Sequence, residues 1–250
     1  MRALRILLVL VIVFGGLLVA ADRFAVRFAQ GKVADKVQES QGLDSKPDVS
    51  IKGFPFLTQV VGSSLDEVDI NVGGLTATAG GHSVKVTEVR AVLKDVAIDS
   101  SFSSATAGEA SGSARLSYTD LGQAAPKGAT IGYAGPERAA KGQVKVSGAM
   151  TDVLKGADIP VPGPVEALLK GLDLTAYCTV SLKGGDTILF RTVDIADLPV
   201  PGLDDQVKGL IDEYALKIDR MPATIKLDRV AATPDGLQFS GKGTNVPLTG

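Results

Sequence analysis

The spacing of hydrophobic and polar positions along this chain changes twice. Ile6 to Ala21 is a run of sixteen residues with no charge and no strongly hydrogen-bonding side chain. It follows Arg2 and Arg5, the basic-then-apolar order of a membrane-directed leader. As a helix it would span about 24 Å, short of the roughly 30 Å hydrocarbon core of a bilayer. Residues 1–21 therefore fit both a cleaved signal peptide and a signal anchor. Val19-Ala20-Ala21 offers a small-residue cleavage site ahead of Asp22, and the absence of a following Cys excludes a lipoprotein anchor. Arg2 and Arg5 would stay in the cytoplasm and the remainder would lie outside. Residues 22–41 continue with helical spacing. Phe24 and Phe28 share one face, and Val26, Val33 and Val37 fall on another. Gly31 weakens the middle of this helix, and Gly42 is placed to end it.

From residue 48 the period becomes two. Val49 and Ile51 alternate with polar neighbours, as do Val68, Ile70 and Val72. Between them, Gly53-Phe54-Pro55-Phe56-Leu57 is an aromatic turn that Pro55 bars from a central strand. Val84 and Val86 keep one phase, Val89, Ala91 and Leu93 the other, and Val96 and Ile98 return. Such slips predict bulges that bend a sheet. Residues 99–113 are rich in Ser, Ala and Gly and predict a long loop or a weak strand. Residues 116–125 predict a short helix carrying Tyr118 and Leu121. The clearest strand runs through Leu172, Leu174, Ala176, Cys178, Val180 and Leu182, every second position apolar or small. It places Cys178 on the apolar face. Further strands are predicted over 188–195, 224–230 and 237–241, with Asp235-Gly236 as the last hairpin turn.

A near-repeat links two segments. Asp158-Ile159-Pro160-Val161-Pro162-Gly163 returns as Asp197-Leu198-Pro199-Val200-Pro201-Gly202, and each copy precedes a helical stretch. After the first, Val165, Leu168 and Leu169 are helically spaced. After the second, Val207, Leu210, Ile211 and Tyr214 form an i, i+3, i+4, i+7 stripe. Two copies are too few for a solenoid. They predict two extended arms, each delivering an amphipathic helix to the same sheet.

Composition narrows the chemistry. The 250 residues include one Cys, one His and no Trp, with 29 Gly and 45% hydrophobic residues. One Cys forms no internal disulfide, and one Cys with one His builds no structural zinc site. With 26 basic against 28 acidic residues, and basic residues dispersed with little aromatic interleaving, no nucleic-acid face is expected. No nucleophile elbow, phosphate loop or dinucleotide fingerprint occurs. His82 sits in a glycine turn without a nucleophile context. Asp152, Asp158, Asp194, Asp197, Asp204 and Asp205 fit no EF-hand spacing. No catalytic residue, metal or cofactor is expected, and nothing in the sequence sets an oligomeric state.

The order of several short motifs resembles the LmeA-like family of actinobacterial cell-envelope proteins. It rests on the basic-apolar N-terminus running into a helix, on Ile51-Lys52-Gly53-Phe54-Pro55-Phe56-Leu57-Thr58-Gln59, and on the Val68-Asp69-Ile70 strand. Ala114-Arg115-Leu116-Ser117-Tyr118-Thr119-Asp120-Leu121 also fits, as does the closing order of Leu-Pro, helix, Met221-Pro222, strand and Asp235-Gly236-Leu237. The resemblance implies phospholipid binding in the envelope, links to mannan-containing glycolipids, and a fold similar to tubular lipid-binding domains. It brings no catalytic residues.

The expectation is thus an α+β protein. A bent, mostly antiparallel sheet is wrapped on amphipathic helices, behind an N-terminal apolar helix. Residues 42–250 would be one extracytoplasmic domain, held at the membrane by the leader or released by cleavage near Ala21. Phospholipid or membrane is the expected partner. The lipid-contacting candidates are Phe54, Phe56 and Leu57, then Tyr118 and Leu121, then Val207, Leu210, Ile211 and Tyr214. The aromatic turn fits a membrane-touching loop, a pocket lip or a buried corner plug. The rival reading is an envelope scaffold with a solid core that binds a protein partner.

Overall fold

The computed structural model describes residues 2–79, 82–99, 104–156, 159, 162–196, 198, 202–218 and 224–248. A long helix α1 (Arg2–Gln41) leads into β1 (Asp48–Ile51), α2 (Phe56–Val61), β2 (Ser64–Val72), β3 (Leu75–Ala79) and β4 (His82–Ile98). There follow β5 (Ala105–Leu116), α3 (Tyr118–Ala124), β6 (Thr130–Tyr133), α4 (Pro136–Ala139), β7 (Gln143–Ala149) and α5 (Met150–Gly156). The chain continues through α6 (Gly163–Leu169), β8 (Asp173–Lys183), β9 (Thr187–Ile195), α7 (Leu203–Glu213), β10 (Ala215–Lys217), β11 (Ile225–Thr233) and β12 (Gly236–Pro247). The class is α+β, as the patterning predicts. The strands divide between two sheets. One has seven strands in the order β1-β2-β4-β5-β12-β11 with β3 on β4; the other has five, in the order β10-β9-β8-β7-β6. The pairs β1/β2, β3/β4, β6/β7, β7/β8, β8/β9 and β9/β10 are all antiparallel.

The contacts form two compact units. The first comprises Met1–Gly73, Arg90–Ser111 and Gly243–Gly250; the second comprises Gly74–Val89 and Gly112–Lys242.

In the first unit, α1 is one unbroken helix, and its two halves behave differently. The side chains from Leu4 to Val19 that are large and apolar are all exposed. Beyond Ala21 the helix packs, burying Val26 and Ala34 against Val49, Ile51, Phe56, Leu65 and Val68. Gly42 ends it at φ 60°, where the Leu43 amide reaches back to the Gln38 carbonyl at 3.0 Å. A left-handed residue here suits glycine, which has no Cβ to clash. Asp22 is nearly fully buried. Its carboxylate accepts the Leu57 amide at 2.9 Å and the Arg23 guanidinium at 2.6 Å. Pro55 gives α2 no side-chain cap, so Asp22, from another helix, satisfies one of that helix's orphan amides.

The second of the two phase changes in β4 falls at Asp95, whose φ is 50° between buried Leu93 and Val96. Of the two readings of residues 99–113, the strand holds for the larger part, because Ala105–Leu116 is strand β5. It lies between β4 and β12. Backbone pairing to both neighbours overrides the poor strand propensity of Ala, Gly and Ser.

In the second unit, β8 follows the predicted alternation. Leu174, Ala176, Cys178 and Val180 are buried. On the opposite face the Arg138 guanidinium lies 3.6 Å from the Tyr177 ring centre and pairs with Asp194 at 2.8 Å. The buried face meets Val84, Leu116, Leu237 and Phe239 in one core. A second cluster joins Met150, Leu154, Leu169, Leu174, Leu203 and Val207 from α5, α6, β8 and α7. Both helices that the near-repeat predicts are present, as α6 and α7, although Leu168 on α6 is exposed. Asp158, Pro160, Val161, Asp197, Pro199, Val200 and Pro201 of the repeat lie outside the described residues, as do Met221 and Pro222.

β7 approaches the loop before β6 so closely that a Cβ on Gly148 would collide with the Gly128 carbonyl oxygen, whereas a Cβ on Gly132 of β6 would meet nothing within 4 Å. Gly148→Ala is therefore expected to lower stability by about 1–3 kcal/mol, while Gly132→Ala leaves it level or slightly raised. Urea denaturation of the two variants checks this. Equal effects would mean that the approach is not tight.

Candidate functional site

The second unit holds an apolar cleft of about 80 Å³. Its floor is the buried face of the five-stranded sheet, contributed by Ile131, Val146, Leu174 and Phe190. Those side chains share one side because strand positions alternate and the paired registers bring their faces together. One wall is the link from α3 to β6, at Ala125, Pro126 and Ala129, and α5 adds Val153. The other wall is the stripe of Val207, Leu210 and Ile211 on α7, with Tyr214 directly after the helix. Asp204 and Asp205 occupy the first turn of α7, where the helix dipole favours negative charge. Its last turn is held to the sheet by Asp212, whose carboxylate accepts the Thr192 amide of β9 at 2.5 Å. The Tyr214 ring stacks obliquely on Phe190, centres 5.8 Å apart, and its hydroxyl donates to the Ala124 carbonyl. Tyr214 thereby ties the end of α7 to the end of α3.

The cleft gathers four of the sequence-predicted residues, Val207, Leu210, Ile211 and Tyr214. The others lie elsewhere. Leu121 is fully buried in the core beside the cleft without lining it. Tyr118 is half-buried and donates to the Thr233 carbonyl at 2.7 Å. Burial, helped by neighbouring Tyr133, pushes its hydroxyl up to about 12, so it stays a neutral donor. Phe54, Phe56 and Leu57 belong to the first unit. Phe56 is the buried plug of its corner, while Phe54 and Leu57 are exposed. Phe190, Ile131 and Val153 also line the cleft, although no sequence motif marks them. Alternation does place Phe190 and Ile131 on a buried face, but only the packed structure shows where that face is left uncovered.

The lining is hydrocarbon, apart from a tyrosine hydroxyl already engaged. Among the described residues, no carboxylate, imidazole or amine lines it. It can desolvate an apolar chain. Cys178 lies in the adjoining core, not in the cleft. Burial pushes its thiol up to about 12, so it carries no thiolate at physiological pH. Among the described residues, no group of three or more His, Cys, Asp or Glu side chains is placed to hold a metal ion.

A family profile described as LmeA-like phospholipid-binding matches residues 20–242. The chain belongs to that family. No curated protein and no solved structure gives a significant match. The LmeA-like match begins one residue before the end of the exposed apolar run of α1, spans all of the second unit, and covers the first except residues 1–19 and 243–250.

The buried thiol gives a direct check on the packing beside the cleft. Cys178 of this LmeA-like chain is expected to resist a small maleimide at neutral pH while folded and to react fully once denatured. Rapid labelling of the folded chain, followed by mass spectrometry, would show that the core beneath the cleft opens.

Proposed function

We propose that this chain is a non-catalytic phospholipid-binding protein of the cell envelope, kept at the membrane by its apolar helix or released from it. It takes lipid acyl chain into the cleft beneath α7. The observation that carries this reading is the cleft itself, lined by hydrocarbon in a member of a phospholipid-binding family. The 40-residue α1 supports the membrane setting, since the helix is long enough to cross a bilayer and its most apolar 18 residues are not buried.

The energetics suit carriage as well as binding. Each methylene moved from water into the cleft is worth about 0.8 kcal/mol. Relative to a bilayer that gain nearly cancels, so an apolar cleft can accept a chain from a membrane and return it. The head group would stay outside, because the lining has no charged partner for a phosphate. Size sets a condition. At about 80 Å³ the cleft is near half of the ~150 Å³ cavity that admits benzene. It holds a segment of acyl chain, and a whole chain requires α7 to lift from the sheet. The small volume is also the one feature favouring the rival scaffold that binds a protein partner.

Mass spectrometry of lipid co-purifying with the full-length chain separates the readings. Phospholipid is expected at near-stoichiometric amounts after delipidating washes. Ile211→Trp, which fills the cleft, should cut the retained lipid several-fold while Leu168→Trp, on the exposed face of α6, leaves it unchanged. Lipid that is absent from the parent chain, or equal in both variants, would overturn the proposal.

A further inference from the structure

The first unit carries an exposed apolar surface that the cleft does not use. Phe24 and Val61 are 75% and 88% exposed, and Phe28, Phe54 and Leu57 are exposed as well. Phe24 and Phe28 stand one turn apart on α1. Phe54, Leu57 and Val61 belong to α2 and the turn before it. The start of α2 and the turn before it are docked on α1 at the level of Asp22, whose buried carboxylate binds the Leu57 amide at 2.9 Å. That level coincides with the end of the Ile6–Ala21 run.

We infer that this surface is a collar seated in the interfacial layer of the bilayer around the emerging helix. The inference rests on the reading that α1 stays in the membrane. Sixteen apolar residues fall about 6 Å short of the hydrocarbon thickness, or roughly four residues of helix. With Arg5 at one boundary, the other falls among residues 22–25. A bare carboxylate there would be costly. Asp22 is instead shielded and fully paired, by the Leu57 amide and by Arg23 at 2.6 Å. The Arg23 guanidinium also lies 5.1 Å from the Phe54 ring centre, an aromatic–cation pair suited to the head-group layer. Phe28 is matched by Lys32 at 5.7 Å. A protein partner would account for the apolar side chains, but not for their level at the end of a bilayer-length helix.

The chain has no Trp, so single tryptophans report without background. Full-length variants Leu10→Trp, Phe54→Trp, Val61→Trp and Asp44→Trp would each be reconstituted into vesicles of phosphatidylcholine and phosphatidylglycerol with brominated acyl chains. Asp44 lies just past the far end of α1, about 30 Å from Ala21. Quenching should be strong at Leu10→Trp, intermediate with blue-shifted emission at Phe54→Trp and Val61→Trp, and absent at Asp44→Trp. Quenching at Leu10→Trp with none at Phe54→Trp or Val61→Trp would overturn the collar and leave the anchor standing. No quenching at Leu10→Trp would remove the anchor and the collar together. Neither result bears on lipid held in the cleft, which mass spectrometry reads separately.

Discussion

An antiparallel sheet that is apolar on one side must have that side covered, and much of the second unit follows from how this is done. β7, β8 and β9 present a continuous face of Val, Leu, Ala, Cys and Phe. Part of it is closed by strands of the seven-stranded sheet, through Leu237 and Phe239. Part is closed by α7, which buries Val207 and leaves Leu210 and Ile211 facing a gap. Hydrophobic burial alone would draw α7 down flush. Its C-terminal end is also tied down at two polar points, Asp212 on the Thr192 amide and Tyr214 on the Ala124 carbonyl. Such contacts contribute on the order of 1 kcal/mol each, strong enough to position a helix and weak enough to release it. The proposed entry of a lipid chain, which requires the cleft to widen, needs that balance.

The first unit solves a different problem. A helix that is all hydrocarbon at one end has to join a folded body at the other. The join is made by a charge that costs little because it is paired. Asp22 ends the apolar run and caps α2, and from the next turn onward Val26 and Ala34 are core residues. The exposed apolar run and the packed segment are therefore one continuous helix, with the change from exposed to buried side chains falling at Asp22.

Much of this was legible in the chain wherever one residue pattern settles one element. The alternation through Cys178, the α7 stripe, the helix at Tyr118 and the Gly42 terminus all follow from local rules. β5 was legible only as one of two alternatives, a loop or a weak strand, because Ala, Gly and Ser carry little side-chain signal and its pairing with β4 and β12 is long-range. The division of strands between two sheets was hidden for the same reason. Within the aromatic turn, spacing could not say that Phe56 points inward while Phe54 points out, since that depends on how α2 docks on α1. One wall of the cleft was readable as the α7 stripe. The rest, Phe190 with Ile131 and Val153 among them, was not readable as a cleft, because a gap is what packing leaves over.

The central claim is that lipid occupies the space beneath α7. A phosphatidylglycerol carrying a photoactivatable diazirine midway along one acyl chain tests it most directly, with the crosslinked residues located by peptide mass spectrometry. The account predicts adducts on α7 and β9, at Leu210, Ile211 and Phe190, competed away by unlabelled phospholipid. Adducts confined to α1 and α2, with none beneath α7, would contradict it.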